Sequence, residues 1–430
     1  MKQCNTFKAI IIVFIIALFS SCSKSGSNPG PKNNTAAVTI TSLNVTTGPY
    51  ATSVIINGTG FSAIKTDDQI EFNGKPAVVQ AAGATVLYTS VPLAAGTGNV
   101  TVTVNGVTAT GPVFTYKVTQ VVTNFAGNAF SGGSANGTGA AAAFFQPTGL
   151  AADGAGNIYV GDTNNNLIRK ISPDGVVTTF AGSGQAGHTN GTGSAASFNG
   201  PAGIAVDAAG NVYVADEYNS LIRKITASGV VTTLAGRGSV QPITDGTGTA
   251  ASFGRPIGIA VDGSGNVFVA DQGAGHIRKI TPAGVVTTIY GGSGLDPYYI
   301  ALDKAGNIYA TDVTANNIKK ITQSGILSTF AGSDSIIGGD LDGTGKTAGF
   351  SKPVGITIDG DGNLYVIDTG YGSLRKITPA AVVTTIGGGS GDIYGPLATA
   401  GMTGAWAITI DGTGNLYFTG VNDIRKVSMQ

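Results

Sequence analysis

One short pattern, Gly-Asn followed by Ile, Val or Leu and then by Tyr or Phe, occurs six times in the second part of the chain. The asparagines of the six copies stand at positions 157, 211, 266, 307, 363 and 415. Consecutive copies are 54, 55, 41, 56 and 52 residues apart, which indicates a unit of ~40 residues with an optional insertion of ~14. A repeat constrains the fold more than any other feature here, because every copy has to form the same supersecondary unit.

Each copy predicts four short strands. In the second copy these are Gly203–Asp207, Val212–Asp216, Leu221–Ile225 and Val230–Gly236, which are apolar or β-branched and are separated by Asp, Gly, Asn and Ser. Runs of this kind between turn-forming residues are typical of strands and hairpins. Four strands in a unit of this length indicate the blade of a β-propeller, with the first strand innermost.

A further copy of the fourth strand precedes the first unit. Residues 121–127, VVTNFAG, match residues 176–182, VVTTFAG, at nearly every position. The sixth unit has no fourth strand of its own before Gln430. We therefore expect residues 121–127 to complete blade six, so that this N-terminal strand closes the ring and covers the edge of the last sheet.

The six blocks resemble NHL repeats, and residues 118–430 resemble a complete six-bladed NHL β-propeller. The segments between blades, such as Asn190–Gly193 followed by Phe198 and Pro201, are similar to those of bacterial members of that family. The resemblance implies a propeller scaffold and does not by itself name a ligand.

Residues 38–117 predict a second all-β unit. Val54–Phe61, Ile70–Gly74 and Val100–Gly106 alternate apolar and polar residues and end in Gly-rich corners, a pattern typical of a sandwich. These runs resemble an IPT/TIG domain, which implies an immunoglobulin-like fold used for spacing and presentation. The expected fold class is thus all-β, an IPT/TIG sandwich followed by a six-bladed propeller.

The N-terminus has the order of a secretory signal. Lys2 and Lys8 are followed by an apolar run, Ala9–Phe19, that is too short to span a bilayer as a helix, and Cys22 comes shortly afterwards. The segment resembles a bacterial lipoprotein signal. That resemblance implies a leader at residues 1–21, lipidation of Cys22, a flexible tether at 22–37 and anchoring in the cell envelope, at the outer membrane. The alternative is an ordinary cleaved signal with an incidental cysteine.

Composition argues against several kinds of function. The formal net charge is +0, so the chain lacks the electrostatic footprint of a nucleic-acid-binding protein. Its two histidines, His188 and His276, cannot form a three-His zinc site. Glu217 is the only Glu after residue 118, which excludes paired-Glu acid–base chemistry. We expect no enzymatic activity, no cofactor and no metal. Asp359–Asn363 has the spacing of a calcium loop, but the same turn recurs in other blades, which favours turn capping.

Repeated residues are interpreted as scaffold, including the Arg-Lys pairs of the third strands, so candidate ligand contacts have to be departures from the repeat. Tyr298 and Tyr299 replace small residues in blade four, and Trp406, the only Trp, stands at the matching position of blade six. Loops expected on the same face add further candidates: Asn165, Tyr218, Asn219 and Tyr371. Aromatic rings beside amide groups suit a sugar, because its C–H face stacks while its hydroxyls need planar donors and acceptors. The alternative is that Tyr298 and Trp406 only fill the channel.

Two functions follow as hypotheses. The first is a monomeric binding lipoprotein, similar to the IPT-domain glycan-binding lipoproteins of polysaccharide-degrading bacteria, with the propeller's top face as the glycan site and the lipid anchor as its only membrane contact. The second is a non-catalytic scaffold for protein–protein interaction at the cell envelope. Nucleic acid is not expected as a partner in either case.

Overall fold

A computed structural model describes residues 37–92, 95–238, 242–333, 339–389, 394–402 and 404–429. Regular structure in these ranges consists of β-strands and short 3-10 turns, which confirms the predicted all-β class. The turns are Gly139–Ala141, Thr163–Asn165, Gly193–Ala195, Glu217–Asn219, Gly248–Ala250, Gln272–Ala274 and Gly345–Thr347. The ranges contain no helix with the length and apolarity that a membrane span requires. The predicted leader and Cys22 lie outside the described residues.

The N-terminal domain is a pair of sheets around one apolar core. The sheet orders are β1-β3-β7-β6 and β2-β9-β8-β4-β5. Their strands are β1 (Thr39–Leu43), β2 (Thr47–Gly48), β3 (Ser53–Thr59), β4 (Asp68–Phe72), β5 (Lys75–Ala77), β6 (Ala81–Gly83), β7 (Val86–Ser90), β8 (Gly98–Val104) and β9 (Val107–Tyr116). Alternate residues such as Val54 and Ile56 face inward, as the period of a strand requires. Phe72 and Phe114, from one sheet, meet edge to face in the core at 5.3 Å.

The described residues between 120 and 429 form six further sheets, numbered 1 to 6 along the chain. From the innermost strand outward, sheet 1 is β12 (Gly149–Ala152), β13 (Ile158–Asp162), β14 (Leu167–Ile171), β15 (Val176–Ala181) and β11 (Gly137–Thr138). Sheet 2 is β17 (Pro201–Val206), β18 (Val212–Asp216), β19 (Leu221–Ile225), β20 (Val230–Ala235) and β16 (Gly191–Thr192). Sheet 3 is β22 (Pro256–Val261), β23 (Val267–Asp271), β24 (His276–Ile280), β25 (Val285–Gly291) and β21 (Gly246–Thr247).

Sheet 4 is the shortest repeat, with β26 (Pro297–Leu302), β27 (Ile308–Asp312), β28 (Asn317–Ile321) and β29 (Leu327–Ala331). Sheet 5 is β31 (Pro353–Ile358), β32 (Leu364–Asp368), β33 (Ser373–Ile377), β34 (Val382–Gly388) and β30 (Gly343–Thr344). Sheet 6 is β36 (Ile408–Ile410), β37 (Leu416–Thr419), β38 (Asp423–Met429), β10 (Gln120–Gly127) and β35 (Gly395–Pro396).

The two ends of this region meet in sheet 6. Strand β10 pairs antiparallel with β38, from Gln120 opposite Met429 to Gly127 opposite Asp423. The innermost strand of each sheet contacts that of the next, and β36 contacts β12. The six innermost strands therefore follow one another around a common centre.

The recurring Asp of each block caps its own hairpin. In sheet 2, Oδ1 of Asp207 accepts hydrogen bonds from the backbone N–H groups of Asn211, at 2.8 Å, and Ala209, at 3.0 Å. Its Oδ2 accepts one from Asn211 Nδ2, at 2.8 Å. Gly210 has φ +77°, a conformation that glycine adopts without strain. The turn chemistry predicted from the repeat is confirmed.

The recurring Arg of the third strand is buried and donates hydrogen bonds to several groups at once. Arg223 Nη1 lies 2.8 Å from Asp216 Oδ2 and 3.0 Å from the Ser197 carbonyl. Its Nη2 donates to Asn190 Oδ1 at 2.8 Å, and the guanidinium carbon lies 5.2 Å from the centre of the Phe198 ring. Both side chains of the ion pair are fully buried. This arginine fixes the connection that leads from sheet 1 into sheet 2, in agreement with the structural role predicted for it.

Candidate functional site

The candidate site is a cavity of about 340 Å³ at one end of the six sheets. We call this end the top face; it carries the loops between the second and third strands of each sheet, residues 163–166, 217–220, 272–275, 313–316, 369–372 and 420–422. The central cavity is lined by residues of sheets 1, 2, 3, 4 and 6: Gln146, Thr148, Thr163, Asn164, Glu217, Tyr218, Arg255, Tyr298, Gly404, Trp406, Gly420 and Val421. The cavity lies at the common centre of the sheets because these loops converge there.

Three of the predicted aromatic residues lie together in this cavity. The ring centres of Tyr298 and Trp406 are 6.0 Å apart, with an angle of 32° between the planes. Trp406 is 40% exposed and Tyr218 is 62% exposed, so both rings offer surface to a ligand. Burial raises the pKa of the Tyr298 hydroxyl, which keeps it a neutral donor and acceptor near pH 7. The structure therefore places these three predicted residues in the wall of one cavity.

Tyr299, in contrast, is a packing residue. It is 8% exposed and belongs to the apolar core, and its hydroxyl donates a hydrogen bond to the carbonyl of Thr148. This hydrogen bond connects sheet 4 to the segment that leads into sheet 1, across the common centre of the six sheets. Tyr298 and Tyr299 are consecutive in β26, where the pairing with β27 is irregular between Pro297 and Ile300, and their ring centres lie 5.7 Å apart. The prediction that Tyr299 offers a stacking surface is wrong.

The predicted amides also have structural partners. Asn219 Nδ2 donates to the Gly187 carbonyl at 2.8 Å and to Asp216 Oδ2 at 2.9 Å. Asn165 Nδ2 makes the equivalent bonds to Gly133 and Asp162, at 2.7 and 2.9 Å. Both side chains therefore use their donors to hold the loop. Asn164, one position earlier, lines the central cavity instead.

An ion pair in the cavity was missed by sequence reasoning. Arg255 Nε lies 2.7 Å and Arg255 Nη2 lies 2.6 Å from Oε1 of Glu217. The Glu217 side chain is buried and that of Arg255 is half-exposed. Burial raises the pKa of the Glu217 carboxyl although Arg255 opposes the shift. The sequence contained a signal for both residues. Arg255 stands directly before the Pro of its repeat, at the position that Gly200 holds in the preceding repeat, and Glu217 is the only Glu after residue 118.

Polar groups complete the cavity wall. Asn164 Nδ2 donates to Gln146 Oε1 at 2.6 Å, and the hydroxyls of Thr148 and Thr163 lie 2.6 Å apart. The cavity thus combines aromatic faces with amide, hydroxyl and carboxylate groups. This arrangement can stack on the C–H face of a sugar and hydrogen-bond its hydroxyls.

Two flanking cavities adjoin the central one. The first, of about 370 Å³, shares Trp406 and Gly404 with it and is otherwise lined by Thr369, Tyr371, Gly372, Gly389, Met402 and Ala405. The second, of about 590 Å³, shares Tyr218 and is otherwise lined by His188, Asn219, Leu221, Thr233, Gly236, Arg237, Gly238 and Thr249. The predicted residues Tyr371 and Asn219 therefore belong to the flanks.

The calcium-like spacing in sheet 5 forms an ordinary turn. Asp359 Oδ1 accepts hydrogen bonds from the N–H groups of Asp361 and Asn363 at 3.0 and 2.8 Å, as Asp207 does in sheet 2. Across the described ranges, no three His, Cys, Asp or Glu side chains are grouped so that they could hold a metal ion.

Two families match parts of the chain. Residues 38–116 match the IPT/TIG domain, and residues 146–292 match the SMP-30/Gluconolactonase/LRE-like region. NHL repeat-containing protein 2 of Homo sapiens is 30% identical over 151 residues, 32% of this chain. The chain spans 21% of the length of that relative and 10% of a second curated relative.

Solved structures of two bacterial proteins share the fold. An auxiliary nutrient binding protein from Bacteroides thetaiotaomicron superposes with a TM-score of 0.67 at 16% identity, over 92% of this chain and 98% of its own. One from Bacteroides ovatus has a TM-score of 0.61 at 18% identity, over 93% and 100%. At these identities the likeness is one of fold. The chain thus combines an IPT/TIG domain with a β-propeller region that is similar in part to the SMP-30/Gluconolactonase/LRE-like region and to an NHL repeat-containing protein.

Proposed function

We propose that the protein is a lipid-anchored, monomeric binding protein of the cell envelope, and that its propeller binds a glycan in the central cavity. In this proposal residues 118–430 form a closed six-bladed propeller, with β10 completing the sixth blade. Residues 38–117 hold the propeller away from the outer membrane, and residues 22–37 tether it to a lipid on Cys22.

The observation that carries the proposal is the chemistry of the central cavity. Tyr298 and Trp406 form an aromatic part of the wall, and the polar part of the lining includes Asn164, Gln146 and Glu217. The charges of Glu217 and Arg255 offset each other, so the cavity suits a neutral ligand with many hydroxyls better than an ion. The binding role is supported by the names of the two Bacteroides proteins with the same fold, which are described as nutrient binding proteins.

The test is a screen of the protein against plant, microbial and host glycans by affinity electrophoresis and calorimetry. A hit should weaken about fivefold or more in Trp406→Ala, because a stacked ring contributes ~1 kcal/mol beyond area burial. Tyr88→Ala is the matched control, because Tyr88 is 43% exposed, about as much as Trp406, but lies on β7 of the first domain. Absence of any hit, or equal loss in both variants, would contradict a glycan site in the central cavity.

A non-catalytic scaffold is the second candidate, favoured by the exposed Tyr218 and Tyr371 on the same face, since exposed tyrosines are common at protein interfaces. Co-purification of an envelope protein that is lost in Tyr218→Ala and Tyr371→Ala, with no glycan bound, would support it. A bound glycan should also be recovered intact; new reducing ends would instead indicate an enzyme.

A further inference from the structure

We propose that the three cavities of the top face form one groove for a linear oligosaccharide, which lies across the face with its middle in the central cavity. This inference rests on the proposed function and adds the size and shape of the ligand. Nothing in it depends on the IPT/TIG domain.

The first step is the continuity of the cavities. Trp406 is part of the wall of both the central cavity and the flank that contains Tyr371. Tyr218 is part of the wall of both the central cavity and the flank that contains His188. The two shared rings come from sheet 6 and sheet 2, so the flanks lie beyond different walls of the centre. A ligand that leaves the central cavity on either side passes an aromatic ring.

The second step is the closed centre. The hydroxyl of Tyr299 donates a hydrogen bond to the carbonyl of Thr148, and Thr148 also lines the central cavity. The side chain of Tyr299 is buried in the apolar core and crosses from sheet 4 towards sheet 1. A chain longer than the central cavity therefore cannot continue down the axis and has to extend sideways along the top face.

The third step is the chemistry of the flanks. Tyr371 is 53% exposed and faces a cavity that also contains the hydroxyl-bearing Thr369. The opposite flank contains the exposed His188 beside Thr233. Each flank thus has a ring and hydrogen-bonding side chains, the same combination as the centre. At about 340, 370 and 590 Å³, the three cavities lie within the lower half of the roughly 300–1,000 Å³ that is usual for ligand pockets.

The experiment uses a ladder of oligomers, from disaccharide to octasaccharide, made by partial acid hydrolysis of the polysaccharide that the glycan screen retains. Calorimetry should show an affinity that rises with length until the chain fills all three cavities and then stays constant. Tyr371→Ala should weaken the longest oligomers about fivefold, from the loss of one stacked ring, and leave the disaccharide unchanged. His188→Ala should also weaken only the long oligomers, whereas Trp406→Ala should weaken all of them.

Equal affinity for disaccharide and octasaccharide would overturn the groove and leave the central glycan site standing. So would an affinity that rises with length but is unchanged in both Tyr371→Ala and His188→Ala, because the chain would then extend elsewhere. Failure of every polysaccharide to bind would instead overturn the proposed function and the groove with it. Melting temperatures of the variants, with Tyr88→Ala as the control, separate loss of contact from loss of fold.

Discussion

Replacement of Arg223 by Met should destabilise the propeller by about 3–5 kcal/mol, the usual cost of removing one partner of a buried ion pair. The change removes the 2.8 Å contact with Asp216 and the bonds to Asn190 and to the Ser197 carbonyl. Met fills much of the apolar volume of the arginine stem, so the loss reflects the guanidinium more than a cavity. The carboxyl left behind stays buried, and burial already raises its pKa.

Lys224→Met is the matched control, one residue further along β19. Lys224 is half-buried, and its ammonium lies 5.7 Å from the centre of the Tyr213 ring. A contact of this kind contributes about 0.5–1 kcal/mol when it is exposed, so this variant should lose no more than that. The double variant Arg223→Met with Asp216→Asn should recover part of the loss, because no unpaired buried carboxylate remains.

The assay is urea unfolding followed by tryptophan fluorescence. Trp406 is the only Trp of the chain, so the signal reports the propeller and not the IPT/TIG domain. A lower midpoint with an unchanged slope measures the loss of stability. If Arg223→Met cost less than about 1 kcal/mol, or no more than Lys224→Met, the recurring arginines would not stabilise the propeller as their geometry indicates.

Three further predictions concern the anchor, the ring and the ion pair. Cys22→Ser should move the protein from the membrane to the soluble fraction; retention after high-salt washing would contradict lipidation. A chain starting at residue 128 should melt roughly 5 °C or more below one starting at 119, because it loses the buried Val121 and Val122 of β10; equal melting would contradict closure by this strand. Glycan affinity, measured by calorimetry, should fall as pH drops through the pKa of Glu217, which burial raises above its ordinary value of 4.5, because the charged carboxylate is the better acceptor. Glu217→Gln is the control, since it has no carboxyl to titrate; the same fall with pH in this variant would contradict the reasoning.

The strand plan was readable from the sequence because each repeat carries its own turn chemistry. Asp207 and Asn211 are four residues apart and bond within one hairpin, so their meaning does not depend on the rest of the fold. The same holds for the alternation that makes Val54 and Ile56 face the core of the first domain. Local hydrogen bonds and a period of two residues are enough for such predictions.

The candidate site was only partly readable. Repeat position placed Tyr298 and Trp406 at equivalent points of sheets 4 and 6, and the structure brings their rings within 6.0 Å. Repeat position could not distinguish Tyr298 from Tyr299, because the strand pairing is irregular at these two residues and the burial of each side chain depends on the packing at the common centre of the six sheets. The structure buries Tyr299 there and leaves Tyr298 in the cavity wall.

Tertiary structure alone decided the polar half of the site. Glu217 and Arg255 are 38 residues apart in the chain and come from different repeats, so no local pattern pairs them. Their contact requires sheets 2 and 3 to lie side by side, as they do where the innermost strands β17 and β22 pack together. Sequence determined which strands form and how they turn, since those interactions are local. The fold decided which side chains converge, because a cavity at the centre of six sheets takes its walls from residues that meet only when the sheets pack together.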